Sequence, residues 1–382
     1  MEGTPKKKVV IVGTAYPYRG GLATYNERLA REFMSRGYEV TIETFSLQYP
    51  SFLFPGKTQF SESPAPEDLS ITRSVNSINP FTWLKVGRKI RRMQPDLVVI
   101  KYWLPYMAPA LGTIARLARH GKTRVVTILD NMIPHEKRPG DMMFSRYYCG
   151  SVDGFVAMSE SVLKDVDIFD TKKPRTLQLH PLYDNFGPAV SKEEACAKLG
   201  LDPSFRYLLF FGLIRDYKGL DWLLEAISDE RIRSAKDVKL IVAGEFYSHP
   251  EKYEELVKTL GLEPQVVWRT EFVPDELVKY YFCASELVVQ PYKSATQSGV
   301  TQIAYHFSRP MLVTDVGGLS EIVPDGECGY VAKPEVGAIA DALVRHISTP
   351  SDFAAGIEAA KKKYSWSAMC GAIEKIADDC KK

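Results

Sequence analysis

Residues 292–323 read YKSATQSGVTQIAYHFSRPMLVTDVGGLSEIV. A turn of small residues opens a helix, a short apolar run then reads as a buried strand, and the strand ends in Gly317-Gly318. Turn, helix, strand and glycine turn in that order belong to a parallel α/β layer, and they aim backbone N–H groups and the positive end of a helix dipole at one spot. A diphosphate suits that spot, so the stretch predicts binding of an activated, phosphorylated small molecule.

The same alternation runs outward in both directions. Toward the N-terminus, Val9–Gly13, Val40–Phe45, Leu97–Lys101, Val125–Leu129 and Gly154–Met158 read as buried strands with amphipathic helices between them. Residues 49–80 are poor in pattern and rich in Pro and Ser, which predicts a long surface excursion with room for a hairpin. Around 181–206 the text becomes a linker with a short helix. A second series follows: Tyr207–Gly212, Val238–Ala243, Val266–Arg269, Leu287–Gln290 and Met311–Thr314. The expected fold class is α/β, with two doubly wound Rossmann-like domains, 1–187 and 188–365, facing across a cleft where ligands bind beyond the strands' carboxyl ends. The last helix, 366–382, is expected to pack across to the first domain.

Composition agrees with ordinary globular protein: 382 residues, 45% hydrophobic and 25% charged, enough for about two cores and outside the disordered and fibrous classes. No run of about 18 uncharged apolar residues is present, and the N-terminus passes from lysines straight into a strand, so a cytoplasmic protein without a leader is expected. The six cysteines lack C-x-x-C spacing and read as reduced and structural. Residues 1–187 hold 26 Lys and Arg against 18 Asp and Glu, and 71–124 hold eleven basic residues against one acid, Asp96. That excess predicts an anionic partner for the first half.

Several motifs carry chemistry. GTAYPYRGGLATYNERLAREF sets Gly20-Gly21 at a helix start, where bare amides meet a ligand or a plain turn is made. The pattern is neither G-x-G-x-x-G nor G-x-x-x-x-G-K-[ST], so the nicotinamide dinucleotide and P-loop readings lose their main support. FFGLIRDYKGLDWLLEAI puts Arg215 and Lys218 beyond a strand's carboxyl end, where two cations neutralise a diphosphate leaving group or are simply surface charge. VAGEF adds Gly244 and Glu245 at the same rim. RTEFVPDEL offers Phe272 as an apolar wall for a flat base, with Pro274 at a helix start as the competing explanation. LDNMIPHEK brings Asp130, Asn131, His135 and Glu136 to the cleft side, and Asp130 and His135 are candidates for orienting or deprotonating a hydroxyl, against a non-catalytic histidine in a polar loop.

Asp165-Val166-Asp167 has the D-x-D form that can hold a divalent metal, but it lies on a helical stretch and reads as a solvated face. PFTWLKVGRKIRRM, with Trp83, Val86, Ile90 and Met93 at helical spacing among Lys and Arg, reads either as a helix lying on an anionic membrane through Trp83–Met93 or as an ordinary helix packed on the sheet. No nucleic-acid-binding motif accompanies the charge.

Taken in order, GGLATYNERLAREF, FGLIRDYKGLDWLLEAI, VAGEF, TEFVPDEL, SATQSGVTQIAYHFSRPMLVTDVGGLSEIV and YSW resemble the retaining glycosyltransferases of family 4, which have the GT-B fold. The resemblance covers nearly the whole chain. It implies transfer of a sugar from a nucleotide diphosphate-sugar to an acceptor hydroxyl with the anomeric configuration kept, and no bound metal or other cofactor. Arg215 and Lys218 would hold the diphosphate, Gly20-Gly21 would approach it from the other domain, and Gln297, Ser298, Gly299 and Val300 would present amides to it. Glu321 would meet the ribose or neighbouring donor groups. The family's E-x7-E pair falls at Ala295 and Ile303 when Pro310 is aligned, and its usual first-domain His corresponds to Asp130. The expected role is extension of a surface polysaccharide or lipid-linked glycan by a cytoplasmic enzyme, peripheral on the inner face of the plasma membrane. The alternatives are a nucleotide-sugar epimerase and a catalytically inactive nucleotide-sugar-binding partner.

Overall fold

The computed structural model describes residues 6–50, 59–61, 64–133, 139–247, 249–295, 298–349 and 351–380. The chain divides into two compact units, one formed by Met1–His180 with Trp366–Lys382 and the other by Pro181–Ser365.

The first unit holds strands β1 (Lys8–Val12), β2 (Glu39–Leu47), β3 (Ile71–Asn76), β4 (Leu97–Tyr102), β5 (Arg124–Leu129), β6 (Gly154–Ala157) and β7 (Arg175–Leu177). They form one sheet in the order β3-β2-β1-β4-β5-β6-β7, and every pairing is parallel. Side chains alternate between its faces, as a strand requires. Val10, Val12, Val98 and Ile100 join a core with Val86 and Ile90 of helix Pro80–Met93 and Leu111 and Ile114 of helix Ala108–Ala118. Val9, Ile11, Leu97 and Val99 pack on the opposite face against Leu29 and Phe33 of helix Gly21–Ser35 and Met369, Ile373 and Ile376 of helix Trp366–Asp379. Arg36 and Tyr38 both donate to Glu374, Nη1 to Oε2 at 2.8 Å and the hydroxyl to Oε1 at 2.9 Å, tying that last helix to the turn before β2.

The second unit holds β8 (Arg206–Phe211), β9 (Val238–Ala243), β10 (Val266–Arg269), β11 (Ser285–Gln290), β12 (Met311–Thr314) and β13 (Gly329–Ala332), again all parallel, in the order β10-β9-β8-β11-β12-β13. Each sheet reverses its order beside its first strand, between β1 and β4 and between β8 and β11. Loops leaving the carboxyl ends of such strands part to opposite faces, which opens a crevice there. Both units are thus doubly wound.

Two readings from sequence need correction. Residues 49–80 are not wholly an excursion, because Ile71–Asn76 is the edge strand β3 in parallel register with β2. The break between units falls after His180 rather than at Gly187, because the intervening segment is bound to the second unit. Leu182 N donates to the Tyr364 carbonyl at 2.9 Å, and the His306 ring lies 2.9 Å from the Gly187 carbonyl. Among the described residues, no helix is long and apolar enough to cross a membrane.

Candidate functional site

The crevice of the second unit begins at Gly212, directly after β8. Its φ of 97° is open to glycine and turns the chain sharply. The Gly212 carbonyl abuts Gly244 at the end of β9, where an added Cβ would lie 2.4 Å from that oxygen. Arg215 then leads into the single turn Asp216–Lys218, and Gly219 (φ 70°) sits so tightly on the loop after β11 that a Cβ would meet the Pro291 carbonyl at 2.0 Å. Lys293 fastens the same seam: its N–H donates to the Tyr217 carbonyl at 2.7 Å and its ammonium to Asp221 Oδ2 at 2.6 Å.

This seam buries Lys218, whose relative exposure is 9%. Its Nζ lies 5.6 Å from the Tyr292 ring centroid and 3.1 Å from where a Gly212 Cβ would be, and the same point is 3.8 Å from Val300. Among the described residues no carboxylate pairs with it. Burial, and secondarily the neighbouring Arg215 charge, pull its pKa down to about 8. Arg215 is exposed, with its guanidinium 5.1 Å from the Tyr247 ring centroid. A desolvated ammonium lacking a counter-charge is a receptor for an anion.

Helix Gly299–His306 starts beside this lysine. Ser298 caps it, its Oγ accepting the Val300 N–H at 3.2 Å and standing 3.3 Å from the Tyr292 hydroxyl. The Val300 N–H, expected to face a ligand, is therefore engaged by the cap. Gly299 packs on Tyr183, with 3.1 Å left for a Cβ. Glu245 is half-buried, and its carbonyl accepts Ile214 N–H at 2.8 Å. Phe272 is 66% exposed beyond β10, an open ring face at the sheet's edge. Glu321 is exposed in the short helix Leu319–Ile322, after the Gly317-Gly318 turn. The structure therefore clusters Gly212, Gly244, Lys218, Tyr292, Ser298 and Val300. Gln297 lies outside the described residues.

In the first unit, Gly20 (φ 96°) is the N-cap of helix Gly21–Ser35; both glycines are exposed, and nothing lies within 4 Å of where a Gly20 Cβ would be. Asp130 follows β5, its N–H donating to the Tyr102 carbonyl at 2.9 Å and its Oδ1 accepting from Lys101 Nζ at 2.8 Å. His135 lies outside the described residues. Asp167 faces outward and pairs with Arg175 at 2.6 Å, the solvated face read from sequence. The apolar stripe of helix Pro80–Met93 is turned inward: Val86 and Ile90 are buried, Trp83 and Met93 pack on the core, and Trp83 Nε1 donates to the Asn76 carbonyl at 2.6 Å. Its outer face carries Phe81, Lys85, Arg88, Arg91 and Arg92.

Sequence reasoning missed two participants. Tyr292, immediately after β11, was signalled only by its place at a strand end. Lys101 was counted in the basic excess of 71–124 although Leu97–Lys101 read as a buried strand, and it is 2% exposed. Its setting in LVVIKY, a strand buried throughout, was the available sign.

Residues 205–349 match a family model described as glycosyl transferases group 1, and residues 19–175 match one described as glycosyltransferase family 4. A D-inositol 3-phosphate glycosyltransferase of Streptomyces bingchenggensis is 32% identical over 156 residues, 39% of this chain and 34% of that protein. One from Frankia alni is 27% identical over 385 residues, covering 93% of each. An alpha-D-kanosaminyltransferase of Streptomyces kanamyceticus is 30% identical across 46% of each. The chain spans 34%, 54% and 41% of the first three curated relatives that it matches. Among solved structures, a glycosyltransferase of Rickettsia africae superposes with TM-score 0.69 at 19% identity, covering 99% of this chain and 100% of that one. Anabaena HepE in complex with UDP gives 0.69 at 15%, covering 97% and 99%. These likenesses are of fold, the GT-B fold.

Proposed function

Since this chain belongs to the glycosyltransferases of family 4, we propose that it moves a sugar from a nucleotide diphosphate-sugar to an acceptor hydroxyl with retention of configuration. The acceptor in this reading is a surface-polysaccharide or lipid-linked glycan precursor. The supporting observation is Lys218, a buried ammonium without a carboxylate partner among the described residues, at the switch point of the second sheet.

The chemistry follows from charge. As the bond from the anomeric carbon to the diphosphate oxygen breaks, negative charge grows on the leaving group. Lys218 and Arg215 stabilise it, together with the Ser298-Gly299 helix start. An ammonium already stripped of water needs no reorganisation to do so, which is why such fixed groups dominate many catalytic rate gains. The acceptor oxygen then bonds to the oxocarbenium-like carbon from the face the diphosphate leaves, and its proton passes to the departing diphosphate oxygen. Gly244, Glu245, Phe272, Gln297 and Glu321 are assigned to the donor, with the Phe272 ring against the base. Asp130 and His135 are assigned to the acceptor. Protein cations supply the charge, so the reading requires no metal.

The test is nucleotide release from a panel of nucleotide sugars, with and without lipid-linked and free glycan acceptors, in the presence of EDTA. Acceptor-dependent release supports transfer; acceptor-free conversion of the sugar means an epimerase, and binding without turnover an inactive partner. Lys218→Ala is expected to lower turnover about a hundred- to a thousand-fold with unchanged circular dichroism. Near-wild-type turnover in that variant removes the proposed site.

A further inference from the structure

Lys101 is hard to explain as a structural residue. It occupies β4 next to the sheet's switch point, in a strand whose six residues are all buried. A Met or Ile would fill the same space without desolvating a charge, and buried ion pairs are often no more stabilising than apolar residues of similar volume. The ammonium is nonetheless closely housed. It lies 3.5 Å from the Tyr25 ring centroid, 3.9 Å from Met158 Sδ and 2.8 Å from Asp130 Oδ1. A ring face and a thioether satisfy a cation weakly, so the carboxylate is its one strong partner among the contacts around it.

The consequence falls on Asp130. Its backbone is fixed to β4 through the bond to the Tyr102 carbonyl, and its side chain is fixed from below through Oδ1. The side chain remains 21% exposed at the carboxyl end of β5. We propose that Lys101 is a positioning residue that holds the Asp130 carboxylate in one orientation, leaving its second oxygen to accept a hydrogen bond from the acceptor hydroxyl. This rests on the transferase reading above and adds to it the residue that fixes the acceptor end. Tyr25, which covers the ammonium, belongs to the helix begun by Gly20-Gly21, so the same contact ties that helix to the Asp130 loop.

The experiment compares Lys101→Met, Asp130→Asn and the double variant, measuring kcat, acceptor KM and the dissociation constant of the nucleoside diphosphate. Asp130→Asn alone strands the buried Lys101 ammonium, whereas the double variant removes both charges and keeps the fold testable. Each single change is expected to raise acceptor KM about ten- to a hundred-fold, the worth of a hydrogen bond to a charged group, with nucleotide affinity unchanged. The double variant should be no worse than Asp130→Asn, because Lys101 then has nothing to orient. Multiplicative losses in the double variant, or equal losses of nucleotide affinity, would overturn the inference. Wild-type acceptor KM in Lys101→Met overturns it while leaving the transferase reading intact. Failure of the wild-type protein to bind any nucleoside diphosphate overturns both.

Discussion

In the proposed reading Lys218 lives in two surroundings: a dry seam without a ligand and a strongly anionic site with one. Its free-state pKa of about 8, against the ordinary lysine value of 10.5, records the first. Because the folded-state value is the lower one, the unfolded chain holds the extra proton between these two values. Ligand-free stability therefore rises with pH across that window, by up to about 3 kcal/mol, and is lost again on acidifying toward pH 8. Thermal unfolding of the free protein should show this rise, and Lys218→Met should flatten it. For the proposed transfer the sign reverses, since that mechanism uses the charged form: kcat/KM for the donor should fall above pH 8. An unchanged alkaline limb in Lys218→Arg would show that another group titrates there. The placement of Arg215 and Lys218 beyond the carboxyl end of β8 was legible because the apolar run before them marks the strand and the glycine after them its turn. Lys101 was not, because counting charges treats every lysine as solvated, even where the strand around it, Leu97–Lys101, reads as buried.

At the scale of elements, the site is a seam between two loops, and Gly219 is its tightest stitch. A methyl group there would meet the Pro291 carbonyl at 2.0 Å while the backbone stays at a φ of 70°. Neither can yield without parting the turn Asp216–Lys218 from the loop after β11. Gly219→Ala should therefore lower stability by about 2–4 kcal/mol and weaken nucleotide binding in the same variant. A normal unfolding midpoint by calorimetry would show that the seam opens freely. The elements themselves were unevenly legible. The strands at the centre of each sheet announced themselves as apolar runs, because both faces are covered. Those missed, β3, β7 and β13, are all sheet edges. β3 runs Thr72, Arg73 and Ser74 in succession and buries only Val75, and β7 has only three half-buried residues. An edge strand needs fewer apolar side chains and benefits from polar ones that discourage further pairing, so its sequence carries little signal.

Over the whole molecule, the first unit is discontinuous in sequence, closed by a helix from the far end of the chain. Trp366, Met369, Ile373 and Ile376 are buried on the same core as Leu29 and Phe33. At about 1.5–3 kcal/mol for each large apolar side chain, their loss rivals the whole stability of an ordinary domain. Truncation after Ser365 should unfold the first unit and leave the second able to bind nucleoside diphosphate, as read by limited proteolysis. The charge of this unit permits one more expectation. Lys101, Lys89, Lys122 and Arg119 are matched by Asp130, Glu43, Asp96 and Asp153, so the basic excess that remains outward is concentrated on helix Pro80–Met93. Its apolar stripe is inside, which rules out deep insertion by that face. What a membrane would meet is Lys85, Arg88, Arg91 and Arg92 beside Phe81, which is 81% exposed, and Ile78. Each cation near an anionic surface is worth about 1 kcal/mol and is screened within a Debye length. Binding to vesicles containing phosphatidylserine should therefore be strong at low salt, fall steeply at high salt and vanish in Arg88→Glu/Arg92→Glu. Equal binding to neutral vesicles would transfer the contact to Phe81 and Ile78, and no binding at low salt would remove the membrane from the account of this protein.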